Sequence, residues 1–516
     1  MRPIIQLFGQ ILAPTAKRFH QALDNPELMQ TSVQRDICDR LIKSEYGKAL
    51  GIHSLADWQR VPIVDYDALS QWIVNPHKQQ QIALTPEPIL FYEKTSGSSG
   101  GAKFIPYTQS LRRSFNQMFC VWAHDLILHG PKFSTGKLYA CISPQLNVAD
   151  ASCLQNDLDY LDGWLRWLLR FWLVMPDGLE DLHDAHLFKH RLSLALLQTE
   201  KLEIISIWSP SFLQVHLKYI QENQELLRAE LHNRMSDYRL QLLSQSNIPW
   251  MQLWPNLKLI SCWDSANAAD QAKGLRSQFP GVFVQGKGLL ATEAPMTIPL
   301  IAAQGYVPVL DEVFFEFEND AGFLYGLHEL NIGQTYTIIL SQKGGLYRYR
   351  IGDRIRVTHY YHQTPCLEFL GRHQVISDLV GEKLQETFVH QALNSINLQG
   401  TNFKSLVPVA NPPHYILLLD WAKETPETIA QQLDQALSQS YHYKIARSLG
   451  QLAPPQVLIS NQISELLVSH RVCTGSIWGG IKHPILATSP ISTELLEQLK
   501  LVFRLNTLEI NAPNCS

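Results

Sequence analysis

Near the N-terminus Ile5, Leu7, Phe8, Ile11 and Leu12 recur at helical spacing, which predicts an amphipathic helix docked on the protein. Residues 1–90 read as helices, with RVPIVDYDAL as a loop near their end. PILFYEKT (88–95) is a short apolar run of strand type, ending near Thr95. A loop then runs through Pro106, after which helical spacing returns with Leu111, Phe115, Met118, Phe119, Trp122 and Leu126. Thr108 is placed to cap the start of that helix, and Gly130 marks its end.

Farther on, strand-like runs (KLYACIS, LEIISIW, LKLISCW, GVFVQ, VFFEFE and TYTIILSQ) alternate with helical segments such as 178–199 and 210–245. Strand–helix alternation predicts an α/β architecture with sites where strands end. After LEFLGRHQVISD the pattern changes. Residues 375–516 carry their own strands, HYILLLDW and PQVLIS, and read as a smaller α+β domain. The larger domain covers 1–374, with a hinge near Arg372 to Ser377.

Composition narrows the classes. A chain of 516 residues, 45% apolar and 17% charged, fits a soluble protein of about two to four domains. Its net charge of −4 argues against a broad nucleic-acid or anionic-membrane surface. The most membrane-like stretch, WLRWLLRFWLVM (Trp164 to Met175), is too short to span a bilayer and carries Arg166 and Arg170. Trp164, Trp167, Leu168, Phe171 and Trp172 suit either a buried helix or the wall of an apolar substrate pocket. The N-terminus lacks the long apolar run and cleavage site of a signal peptide. The eight cysteines include no C-x-x-C and no zinc-ligand spacing, which fits reduced cytoplasmic thiols. Monomer is the default expectation.

The chemistry concentrates first in TSGSSGGAKFIP, Thr95 to Pro106. Gly97 to Gly101 satisfies G-x-S-x-G, so Ser99 is a candidate nucleophile of a serine hydrolase; the same letters resemble the core of amidase-signature enzymes. The nucleophile motif needs a sharp strand-to-helix turn, whereas here a loop and a proline intervene. A Walker A loop fits worse, because Ala102 precedes Lys103 and Phe104 follows it. The physical logic of a phosphate cradle survives: glycines let N–H groups converge, hydroxyls add donors and Lys103 adds charge. A slack surface loop would read the same. GKGLLA, Gly286 to Ala291, mimics a dinucleotide fingerprint, but Pro295 and Pro299 forbid the helix that must follow.

Three later features bear on the choice. Thr292-Glu293 follows the strand GVFVQ; a carboxylate beside a hydroxyl can hold Mg²⁺ against a nucleotide phosphate, or simply cap a turn. In GLYRYRIGDRIRV, Asp353 follows Gly352 in what reads as a tight turn between strands, suited to a ribose or to an ordinary hairpin. LEFLGR ends in Arg372 at the hinge. In this order the motifs resemble the adenylate-forming superfamily of acyl-CoA synthetases, peptide-synthetase adenylation domains and luciferases. TSGSSGGAKFIP, IWSPSFL, QGKGLLATEA and GLYRYRIGD resemble more finely the auxin-responsive-promoter (Gretchen Hagen) family of acyl-acid amido synthetases, from about Tyr92 to Lys482.

The resemblance implies a large N-terminal adenylate-forming domain and a mobile C-terminal lid. It implies ATP and Mg²⁺, a small carboxylic acid, and an amine acceptor, that of an amino acid, joined through an acyl-adenylate. A ligase delivering the acyl group to CoA is the alternative within the superfamily. Carried over, Thr95, Ser96, Gly97, Ser98, Ser99 and Lys103 form the phosphate loop, and Thr292 contacts the α-phosphate. Glu293 holds Mg²⁺, Asp353 binds the ribose and Arg372 closes on the nucleotide. Lys482, in WGGIKHPI, stands where the family has a catalytic lysine. The chain departs from the pattern in placing Leu289 at the adenine-stacking position, His483-Pro484 after Lys482, and no aspartate–lysine pair at the hinge, although Asp378 and Lys383 are near.

Overall fold

The computed structural model describes residues 2–73, 84–94, 103–140, 169–174, 184–265, 268–372, 375–380, 382–448, 451–473 and 483–510, together with Gly163 and Leu179. Internal contacts divide the chain into two compact units, the larger mainly from residues up to Gly371, the smaller mainly from Arg372–Ser516.

In the larger unit the amphipathic helix Arg2–Ala22 forms as its spacing predicts. Ile5, Phe8 and Leu12 are buried, but Leu7 and Ile11 face outward, because apolar residues occupy more of the helix circumference than its contact covers. The helix packs chiefly along Gln109–His129. That second helix starts where expected: the Thr108 side chain accepts the N–H of Leu111 at 3.2 Å, and Gly130 closes the end.

Ahead of it the structure corrects the sequence reading. Strand β1 (Ile89–Lys94) pairs antiparallel with β2 (Phe104–Thr108), so Pro106 lies in a strand and not in a loop. Among the described residues β2 has one strand partner, and an edge position tolerates a residue without an N–H.

A four-stranded parallel sheet follows: β3 (Lys137–Ala140), β4 (Leu202–Ser206), β5 (Leu259–Cys262) and β6 (Phe283–Gly286), in that spatial order. β5 is buried throughout, as continuous apolar strands of a parallel sheet are. Helices Ala185–Gln198 and Pro210–Glu222 lie in the connections, within the segments expected to be helical. The buried Glu203 carboxylate pins the approach to β3, accepting the N–H groups of Ser134, Thr135 and Gly136 and pairing with Lys258 at 2.7 Å.

Short strands β7 (Leu290–Ala291) and β8 (Ala294–Pro295) form a hairpin, and β9 (Thr297–Leu300) pairs with β10 (Gly305–Pro308). A five-stranded sheet completes the unit in the order β12-β11-β13-β14-β15. Its strands are β11 (Val313–Glu318), β12 (Leu324–Gly326), β13 (Thr335–Gln342), β14 (Tyr349–Tyr361) and β15 (Thr364–Arg372). Phe315, Phe317, Ile338, Leu340 and Ile355 from this sheet join Leu41, Trp58, Tyr107 and Leu111 in the main core.

The smaller unit contains the pair β16 (Ile376–Ser377) and β17 (Leu384–Gln385) and a three-stranded sheet of β18 (Lys404–Val409), β19 (His414–Leu419) and β20 (Gln456–Ile459). β19 alternates between two cores, sending Tyr415, Leu417 and Leu419 to one and Ile416 and Leu418 to the other. Glu382 is fully buried, accepting the N–H groups of Leu379 and Val380 and the hydroxyl of Tyr415.

Candidate functional site

Of the glycine-rich stretch, Thr95, Ser96, Gly97, Ser98 and Ser99 lie outside the described residues; the two strands it joins and Lys103 are described. The described elements on either side of Ser99 are two paired strands, β1 and β2, and not the strand and helix that flank a nucleophile elbow.

Thr292 and Glu293 occupy the two-residue turn of the β7–β8 hairpin, where Ala291 pairs with Ala294. Glu293 is only 5% exposed. Tyr107, in β2, donates its hydroxyl to the Thr292 carbonyl at 2.7 Å and stacks on Phe91 of β1 at 4.8 Å. A part-buried bond of this kind contributes ~1 kcal/mol. It joins two motifs 185 residues apart, the strand leaving the glycine-rich stretch and the Thr-Glu turn.

Tyr66, in a segment whose sequence reads as a loop, contacts the start of β2. It opens the one-turn helix Tyr66–Leu69, whose first turn is capped by Asp65 accepting Ala68 N–H at 3.1 Å. Its hydroxyl oxygen accepts the N–H of Phe104 at 2.8 Å, and the Lys103 ammonium lies 5.5 Å from its ring centroid. Burial raises the phenol pKa; the Phe104 N–H opposes the shift, and the negative charges of Asp67 and Glu293 add to it. Lys103, Tyr66 and Glu293 thus share one neighbourhood.

The segment before Tyr66 is fastened to the third motif. Val64 bridges Tyr349 in parallel fashion, giving its N–H to Arg348 and accepting that of Arg350 at 2.8 Å. Arg348 is buried in the left-handed region at φ 44°, its guanidinium bidentate to Glu316 at 2.8 and 2.9 Å and donating to the Val61 carbonyl. Such a conformation costs ~1–3 kcal/mol and persists where surrounding bonds fix it.

Asp353 is not in a turn between strands. It lies in a bulge inside β14: Thr337 pairs with Arg354 and Ile339 with Arg350, so Ile338 alone faces three residues. Gly352 at φ 84° makes the bulge, and Asp353 is 5% exposed. Arg372 ends β15, with its side chain outside the described residues, as is Lys482. Beyond Lys482, His483 is buried against Phe403 at 5.2 Å, and burial, then Arg471, push its pKa down to about 3.

The dinucleotide mimic has a packing explanation. Tyr306 donates to Asp264 at 2.8 Å, and a Cβ on Gly286 would stand 2.1 Å from both groups. Strand β7, not a helix, follows. Leu289 is in the core. Lys287 reaches Ser206 at 2.9 Å and lies between Trp208 and Trp122, 5.0 and 5.7 Å from their centroids. Of the aromatic stretch, Trp172 packs on Phe8, Phe171 is exposed, and Trp164, Trp167 and Leu168 lie outside the described residues. Cys38, Cys120, Cys262 and Cys366 are buried and form no disulfide. Among the described residues no helix is long and apolar enough to cross a membrane, and no His/Cys/Asp/Glu cluster suits a metal.

Multiple sheets on this two-unit frame define the fold class of the adenylate-forming ligases. The chain superposes on an acyl acid amido synthetase, AtGH3.15 in complex with 2,4-DB, with a TM-score of 0.80 at 18% identity, covering 94% of this chain and 95% of that one. A 2-hydroxyisobutyryl-CoA ligase in its postadenylation state gives 0.51 at 14% identity, covering 95% and 93%. The chain belongs to the GH3 family: the family's N-terminal domain matches residues 15–284, its central domain 306–372 and its C-terminal domain 383–491. Indole-3-acetic acid-amido synthetase GH3.10 of Arabidopsis thaliana is 24% identical over 294 residues. The chain spans about half the length of the curated relatives it matches, 49% in that case.

Proposed function

We propose that the chain is a ligase that adenylates a small carboxylic acid with ATP and passes the acyl group to an amine, that of an amino acid. The observation that carries this reading is the convergence of Lys103, Tyr66 and the buried Glu293 beside the Thr292 turn, in a chain of the GH3 family. In the first step a carboxylate oxygen attacks the α-phosphorus and pyrophosphate leaves. In the second the amine attacks the acyl carbon, AMP leaves and the amine loses its proton.

The first step brings negative charge to negative charge, so the protein's task is neutralisation and alignment, without a nucleophile of its own. Residues 95–99 and Lys103 take the phosphates and Thr292 meets the α-phosphate. Glu293 fits a magnesium site as a single buried carboxylate to be completed by phosphate oxygens, and the bound ion would supply charge neutralisation. Asp353 accepts from the ribose hydroxyls; Arg372 and Lys482 reach the nucleotide from residues 375–516 and the hinge that precedes them, acting as a lid on domain 1–374. A cytoplasmic monomer acting on small molecules, with neither nucleic acid nor membrane as partner, completes the reading.

The test is ATP-dependent pyrophosphate release, trapped with hydroxylamine, over a panel of aromatic and aliphatic acids. At least one acid should support turnover, and Glu293→Gln should lower it by about 100-fold or more with the fold intact. No ATP-dependent product across the panel would sink the proposal. So would ATP-independent hydrolysis abolished by Ser99→Ala.

A further inference from the structure

We infer that Tyr66 is a positioning residue for the Lys103 ammonium, a role that rests on the ligase reading above. The phenol makes two separable contacts. Its oxygen fixes the backbone at Phe104, immediately after Lys103, and its ring faces the ammonium. A lysine has four rotatable side-chain bonds, and ordering it costs up to ~2 kcal/mol of conformational entropy. A cation over an aromatic face recovers ~0.5–1 kcal/mol while leaving the charge in place. Lys103 is therefore held before a polyphosphate arrives, and binding need not bear the full ordering cost.

The mounting of Tyr66 suits that role. The Val64–Tyr349 bridge and the Arg348 clamp onto Val61 tie its segment to β14, while Leu69, at the end of the same helical turn, is fully buried in the core. Asp67 and Glu293 bring negative charge near the phenol. A tyrosine needed only for packing would require neither the bond to Phe104 nor the lysine above its ring.

The experiment is a double-mutant cycle on the full chain, read as the dissociation constant for ATP in excess Mg²⁺, with adenosine as the phosphate-free control. Tyr66→Phe, which keeps the ring and loses the acceptor, should weaken ATP about 3-fold. Tyr66→Leu and Lys103→Met should each weaken it about 10-fold, and the double variant no more than about 20-fold, because both remove one interaction. Adenosine affinity should stay within 2-fold throughout. Additive losses near 100-fold, equal losses for ATP and adenosine, or a folded Tyr66→Leu that binds ATP like the parent would each overturn the inference. Tyr66→Phe carries the test if Tyr66→Leu does not fold: unchanged ATP affinity would then contradict the role. A parent chain that binds no ATP would overturn the ligase reading itself, and this inference with it.

Discussion

At the scale of single residues, burial and charge decide what each acid can do. Glu203 and Asp311 show opposite outcomes. Burial alone would raise the Glu203 carboxyl, but Lys258 and three backbone N–H groups overcome it and hold it below the usual range. Asp311 has Gln117 at 2.6 Å on one oxygen, and burial followed by the like charge of Glu312 pushes it up to about 7. The sign follows from linkage: between about pH 4 and 7 the unfolded chain has released this proton while the folded chain keeps it, so stability falls as pH rises. Asp311→Asn should flatten that slope and raise stability at pH 8 by ~1 kcal/mol, read from urea midpoints at pH 5 and pH 8. Equal effects at both pH values would contradict the assignment. Neither environment is legible in the sequence: the partners of Glu203 come from distant segments, and Asp311-Glu312 raises the Asp311 carboxyl only because tertiary packing buries it.

Among the elements, those with local signals were legible. Thr108 caps its helix and Gly130 ends it, as expected, and six expected strands appear as β3, β4, β5, β6, β11 and β13. β2 was not legible, because proline argues against a strand unless its pairing is known, and β1 supplies that pairing. The bulge at Asp353 reads as a turn in the sequence for a similar reason: Gly352 marks a left-handed residue, but only the continuing ladder with β13 tells bulge from turn. Two glycines make the distinction measurable. A Cβ on Gly352 would meet nothing within 4 Å, so Gly352→Ala should cost only the backbone term of ~1 kcal/mol. A Cβ on Gly286 would collide with Asp264 and Tyr306, so Gly286→Ala should cost ~3 kcal/mol and disrupt their bond. Equal losses of stability in chemical denaturation would show that one of these environments is misassigned.

For the whole molecule, the alternation of strands and helices gave the α/β class correctly, and the ordered motifs gave the family. Sequence order could not reveal how the motifs meet. The Tyr107–Thr292 bond, the Tyr66 contacts and the Arg348 clamp are all long-range, and Tyr66 carried no motif of its own. Oxygen-18 reports which phosphorus the carboxylate attacks. A carboxylic acid that supports turnover, labelled in both carboxylate oxygens, is incubated with the chain, ATP, Mg²⁺ and amino acids, and AMP and phosphate are examined by mass spectrometry. The account predicts one labelled oxygen in each AMP released and none in pyrophosphate or phosphate. Labelled phosphate with ADP formed in place of AMP would mean activation at the γ-phosphorus, and would contradict it.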